Sequence, residues 1–93
     1  MQRESDFEIF LMQEKTISSK KAVASRMAKA RKAEIVLGQP LDYIVSSDDM
    51  MYDALLKLKS QEDPAHSPMQ NAVRKYYRLI NGKDFPQLRY YKR

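Results

Sequence analysis

Two glycines, Gly38 and Gly82, each follow directly after a long segment whose apolar residues recur at helical spacing. Glycine adopts the left-handed backbone that ends a helix without steric cost, so both positions predict helix C-termini. Pro40 reinforces the first of these stops, because proline cannot continue a helix. The spacing and the stops together predict an α-helical chain.

Four helices are predicted, and the first two have serine start signals. The first runs from Ser5 to about Gln13, and we expect Ser5 and Glu8 to form a capping box. The second begins near Ser18 or Ser19 and continues up to the first of the two glycines.

The third predicted helix begins at Ser46 or Ser47 and ends near Lys59. Asp48 and Asp49 fall in its first turn, where carboxylates complement the helix dipole.

The fourth predicted helix has the clearest start. Ser67 is expected to cap it, Pro68 occupies the first helical position, and Gln70 completes a capping box. Asn81 precedes the glycine that closes it.

Apolar residues at helical spacing predict the buried face of each helix. They are Phe7, Phe10 and Leu11 on the first helix, Ala22, Val23, Met27, Ala30, Ala33 and Leu37 on the second, Met51, Leu55 and Leu58 on the third, and Met69, Ala72, Val73, Tyr76 and Ile80 on the fourth.

Two further segments complete the predicted fold. Residues 41–45 form either a single helical turn or an extended linker, in both cases burying Leu41 and Ile44. Part of the tail over 83–93 packs back, because Phe85 and Leu88 would otherwise be exposed. We therefore expect a single all-α domain over 1–93, a compact four-helix bundle with its core at about 5–82 and an irregular tail.

Charge is segregated along the chain. Residues 15–33 carry seven basic residues and no acidic one, and residues 64–93 carry seven basic residues against one acidic residue. The stretch between them, 34–63, is acidic. Charge segregated in this way creates an electrostatic field that favours a polyanion as partner on the basic side. Nucleic acid is the commonest such polyanion.

Most basic side chains of the second helix are predicted to point away from the core. At 100° per residue the apolar arc covers about 220° to 340°, measured from Lys20. Arg26 alone falls inside that arc, where its stem is expected to lie along the core edge. The basic residues outside the arc are Lys20, Lys21, Lys29, Arg31 and Lys32.

On the fourth helix a polar cluster lies opposite the apolar face. If both helices turn their polar faces to one side, the two clusters form one DNA-binding surface through phosphate contacts. The cluster on the fourth helix consists of Asn71, Arg74, Lys75 and Arg78.

Several kinds of function lack the residues that they need. The chain has no cysteine for a disulfide, a thiolate zinc site or a thiol nucleophile. Its one histidine, His66, sits in a polar loop, and first-turn capping accounts for Asp48 and Asp49. We expect no catalytic residue, no metal, no cofactor and no small-molecule substrate, and hence no enzyme.

The chain also lacks an apolar run of the roughly 20 residues that span a bilayer. Its first residues show no basic flank followed by an apolar region, so no secretory signal is expected. We expect a cytoplasmic protein with no membrane partner.

The order of these motifs resembles a known family. Ser19–Arg26 leads into a helix ending at Gly38, residues 40–45 form a short connector, and Ser67–Tyr77 opens the last helix. Over roughly residues 15–82 the chain is similar to the SAM-like N-terminal core-binding domain of phage integrases and other tyrosine recombinases. The resemblance implies a four-helix module, from a phage or mobile element, that grips double-stranded DNA from one side.

The chain departs from that family in two ways. It has no room for the separate catalytic domain that carries the tyrosine nucleophile, and the last helix has no counterpart of the family's conserved threonine. The resemblance therefore implies a free-standing relative or a fragment without catalysis.

A protein-interaction module is the alternative function. The acidic third helix, with Asp48, Asp49 and Asp53, would contact a basic partner. Alternatively, the tail would dock in a groove through Phe85, Leu88 and Tyr91.

Overall fold

The computed structural model describes residues 1–14, 19–63 and 65–92. These residues form an all-α bundle, as predicted. Lys15 and Arg93 of the two basic blocks, and Ser18 as a possible helix start, lie outside the described residues. The helices are α1 (Glu4–Met12), α2 (Lys20–Leu37), α3 (Leu41–Ile44), α4 (Asp48–Lys59) and α5 (Pro68–Asn81), followed by a 3₁₀ turn over Leu88–Tyr90.

Both ends of α2 are set by the predicted residues. The Ser19 hydroxyl accepts a hydrogen bond from the Ala22 backbone N–H at 3.1 Å. Gly38 follows the helix with a φ of 71°, and its N–H bonds to the Glu34 carbonyl. A side chain is strained at that φ, which explains why glycine ends the helix here.

The helices α4 and α5 also have the predicted bounds, but only α4 is capped as predicted. Ser47 accepts from the Met50 N–H at the start of α4. Ser67 occupies the cap position of α5, yet its side chain makes no capping bond with the described residues. The predicted box with Gln70 is therefore wrong, and the Glu62 carboxylate accepts instead from the backbone N–H groups of Met69 and Gln70.

The start of α1 differs from the prediction. The helix begins at Glu4, with Arg3 in the cap position and no side-chain cap from the described residues. Ser5 therefore lies inside the helix and does not form the predicted box with Glu8. Glu4 and Asp6 in the first turn supply the negative charge that the helix dipole favours.

The short connector forms one helical turn, α3, which settles the two predicted possibilities. Leu41, Ile44 and Val45 are buried. The Tyr76 hydroxyl of α5 donates to the Asp42 carboxylate on this turn. Burial alone raises the pKa of Asp42, but the hydrogen bonds from Tyr76 and the Gln2 backbone outweigh it and hold that pKa below its usual value.

The core lies where the helices meet, and its members match the predicted apolar faces closely. Ala22 and Leu37 of α2, Phe10 of α1 and Ile80 of α5 are only partly buried. Tyr77 of α5 is fully buried as well, although it was not among the predicted core residues. The fully or nearly buried members from these faces are Phe7, Leu11, Val23, Met27, Ala30, Ala33, Met51, Leu55, Leu58, Met69, Ala72, Val73 and Tyr76.

The tail packs back onto the bundle as predicted. Phe85 is 4 % exposed, and its ring meets that of Tyr77 edge-on with centroids 5.2 Å apart. Leu88 is half-buried. Within the described parts of the chain, every helix is too short or too polar to cross a membrane.

Candidate nucleic-acid interface

The basic side chains of α2 are held at the surface by the burial of its opposite face. Lys20, Lys21 and Lys32 are exposed and Lys29 is half-buried. Among the described residues, no carboxylate lies within 4.0 Å of these four ammonium groups. None of these four ammonium groups is therefore held in an ion pair with a described residue.

Arg31 lies on a different side of α2. Its Nε donates to the Glu4 carboxylate of α1 at 2.6 Å. Arg31 and Lys20 line a groove between α1 and α2 together with Glu8 and Met12. The structure therefore places these two predicted residues toward α1, not toward α5.

The basic residues of α5 lie near carboxylates. Lys75 Nζ is 3.3 Å from Glu14 Oε1, and Arg78 Nη1 lies 3.8 Å from the same oxygen. Arg78 Nε is also 3.7 Å from the Asp84 carboxylate. The molecule thus compensates part of the charge that the sequence places on this helix.

Arg74 holds the tail. Its Nη1 donates to the backbone carbonyls of Phe85 at 2.8 Å and Pro86 at 3.2 Å. The guanidinium lies over the Phe85 ring, with its carbon 5.9 Å from the ring centroid. Burial lowers the pKa of Arg74, and the charge of Asp84 offsets part of that effect. The remaining nitrogens, Nε and Nη2, make no hydrogen bond to the described residues.

The two helices that carry the predicted basic faces are neighbours, since α2 packs against α5 more extensively than does any other described element. A cavity of about 380 Å³ opens at their junction. Its walls are Arg26 from α2, Asn71, Arg74 and Lys75 from α5, and Asp84 and Phe85 from the tail. Three cations from the two helices therefore share one recess.

Arg26 is the basic residue of this recess that the sequence analysis did not include in the candidate site. It is half-buried, and its guanidinium has no ion pair with the described residues. The available signal was an arginine inside an otherwise apolar arc. Such a residue has to lie at the seam between two packed elements, with its stem on the core and its head outside.

The structure thus joins one part of the predicted site and separates another. Asn71, Arg74 and Lys75 meet the α2 surface at the Arg26 recess, and Lys29 lies one helical turn beyond Arg26. Lys21 and Lys32 lie farther around α2, opposite its buried face.

The groups assigned to the alternative protein-interaction function are engaged within the chain. Asp48 accepts from the Tyr77 hydroxyl and Asp49 from the Tyr91 hydroxyl, both at 2.8 Å. The Tyr91 ring stacks on that of Tyr52. Burial, and then the bond to Asp48, raises the pKa of Tyr77 to about 12. Asp53 is exposed.

Over the described residues, His, Asp and Glu side chains do not gather in groups of three that could hold an ion. His66 is exposed, and its backbone forms an isolated β-bridge with that of Asp63.

Comparison with known proteins assigns no family to this chain. No family model, no curated protein and no solved structure matches the chain.

Proposed function

We propose that this chain is a non-catalytic, cytoplasmic module that binds double-stranded DNA through the phosphate backbone. The proposal rests mainly on the exposed side of α2, where Lys21, Lys29 and Lys32 have no carboxylate within 4.0 Å among the described residues. Neutralising phosphates with such ammonium groups releases condensed counterions, which drives binding.

The length of α2 suits this role. Its 18 residues extend over roughly 27 Å at 1.5 Å per residue. Lys21 and Lys32 are separated by about three turns and point in the same direction, so they can contact phosphates well apart on the duplex.

The helix α5 adds a second, weaker contribution. Asn71, Arg74, Lys75 and Arg78 lie beside α2, but Glu14 and Asp84 compensate part of their charge. We therefore rank α2 above α5 as the source of affinity. The resemblance of the motif order to integrase core-binding domains supports DNA as the polyanion.

Salt dependence of duplex binding tests the proposal. Fluorescence anisotropy with a labelled duplex should show log K falling linearly with log salt, with a slope near −0.9 for each phosphate contacted. The double variant Lys21→Gln/Lys32→Gln should weaken binding. It should also make the slope of log K against log salt shallower, by about the amount that two phosphate contacts contribute.

The matched control changes two lysines elsewhere. Lys57→Gln/Lys59→Gln removes the same charge from exposed positions in the last turn of α4 and should leave the slope unchanged. Absence of duplex binding at low salt, or equal effects of the two double variants, would contradict the proposal.

A further inference from the structure

The recess between α2 and α5 differs from the open lysine face of α2, because donors from both helices line one cavity that is open to solvent. Its cavity of about 380 Å³ has walls from α2, α5 and the tail. That volume exceeds the size of one phosphate group and leaves room for an attached sugar.

The donors of the recess are available to a ligand. Arg74 uses Nη1 for the Phe85 and Pro86 carbonyls, which fixes the guanidinium while Nε and Nη2 stay without a bond to the described residues. The Arg26 guanidinium and the Asn71 amide likewise form no side-chain hydrogen bond within the described chain. Asn71 is exposed, and neither arginine has a side-chain nitrogen that is both buried and without a partner, so these groups are accessible to solvent.

The charge of the recess and its rim suits a dianion. Three positive charges, on Arg26, Arg74 and Lys75, line the recess against one negative charge on Asp84. Lys75 also lies near Glu14, which it shares with Arg78. A phosphomonoester carries about −1.5 to −2 at pH 7, whereas each backbone phosphodiester carries −1. Planar guanidinium groups bind such oxyanions in a bidentate manner.

We propose that the recess binds a terminal phosphomonoester, with Arg26, Arg74 and Asn71 as donors to its oxygens. The assignment of this phosphomonoester to the 5′ end of a DNA strand rests on the proposed function above. The proposal that the recess recognises a phosphomonoester is independent of that function.

Paired duplexes of one sequence, with a 5′-phosphate or a 5′-hydroxyl on the same strand, test this inference. The unaltered chain should bind the phosphorylated duplex roughly fivefold to tenfold more tightly. Arg26→Gln should bring that affinity ratio close to one. Lys32→Gln removes the same charge from α2 outside the recess, so it should weaken both duplexes and keep the ratio.

A ratio near one in the unaltered chain, or a ratio that survives Arg26→Gln, would overturn the inference. Adenosine monophosphate should compete for the phosphorylated duplex, because the monoester is the recognised group. Equal competition by adenosine would show recognition of the base and would also overturn it.

A nuclear magnetic resonance titration separates failure of this inference from failure of the proposed function. Should no duplex bind, adenosine monophosphate alone should still shift the side-chain N–H signals of Arg26, Arg74 and Asn71, and adenosine should not. No shift at several millimolar adenosine monophosphate would rule out the recess as a phosphomonoester site.

Discussion

At the scale of single residues, the N-terminus of α5 shows how a distant side chain replaces a local cap. Glu62 accepts from the Met69 N–H at 2.7 Å and from the Gln70 N–H at 3.1 Å. Its carboxylate thus satisfies two of the free donors at the helix start and places negative charge at the positive end of the dipole.

This arrangement predicts unequal effects of two alanine substitutions. Glu62→Ala should lower the free energy of unfolding by about 1–2 kcal/mol, since it removes both bonds and the favourable charge. Ser67→Ala is the matched control and should cost less than about 0.5 kcal/mol, because the Ser67 side chain makes no capping bond with the described residues. Urea denaturation measures both, and the reverse order would contradict this account.

The buried tyrosines predict a loss of stability in alkali. Burial and the bond to Asp48 raise the pKa of Tyr77 from 10.0 to about 12, and burial and Asp42 raise that of Tyr76 as well. A tyrosine that titrates higher in the folded state contributes stability that is complete below pH 10.0 and is lost as pH rises through the folded pKa.

Denaturation at pH 7 and pH 11 tests this linkage. Tyr77→Phe should narrow the difference in unfolding free energy between the two pH values, because one of the two shifted groups is gone. Tyr43→Phe changes a tyrosine that is 53 % exposed and should leave the difference as it is. An unchanged difference in Tyr77→Phe would exclude the linkage.

At the scale of elements, three of the predicted helix ends depend on local signals that the structure contains. Ser19, Ser47 and Gly38 act on backbone groups three or four residues away, so the sequence reveals them. The cap of α5 was not predictable, because Glu62 reaches the helix from a preceding loop. At α1, the charges of Glu4 and Asp6 take the place of the expected serine cap.

The packing of the tail against the bundle leads to a prediction about stability. Phe85 contacts Tyr77 and Tyr91 and lies under Arg74. Phe85→Ala should cost about 3 kcal/mol, as is usual for removing a buried phenyl ring. Tyr90→Ala, at a position 64 % exposed, should cost less than about 0.5 kcal/mol. Thermal or urea unfolding distinguishes the two, and equal small losses would show that the tail does not contribute to the fold.

At the scale of the whole molecule, the charge pattern predicted which helices are basic but not how they are neutralised. Helical periodicity places Lys75 and Arg78 on the polar face of α5, and they do lie outside the core. Their proximity to Glu14 depends on how the end of α1 meets α5, which no local pattern encodes. The same holds for Arg31, which the packing of α1 on α2 pairs with Glu4.

This self-neutralisation decides how far the proposed DNA-binding surface extends. If α5 contributes to binding together with α2, Glu14→Gln should strengthen duplex binding severalfold at low salt, because it frees Lys75 and removes one of the two carboxylates near Arg78. Glu4→Gln is the matched control: it frees Arg31 on the α1 side, where we expect a smaller gain. Anisotropy titrations at two salt concentrations measure both. Equal gains would mean that affinity follows net charge alone, and no gain from Glu14→Gln would confine the surface to α2.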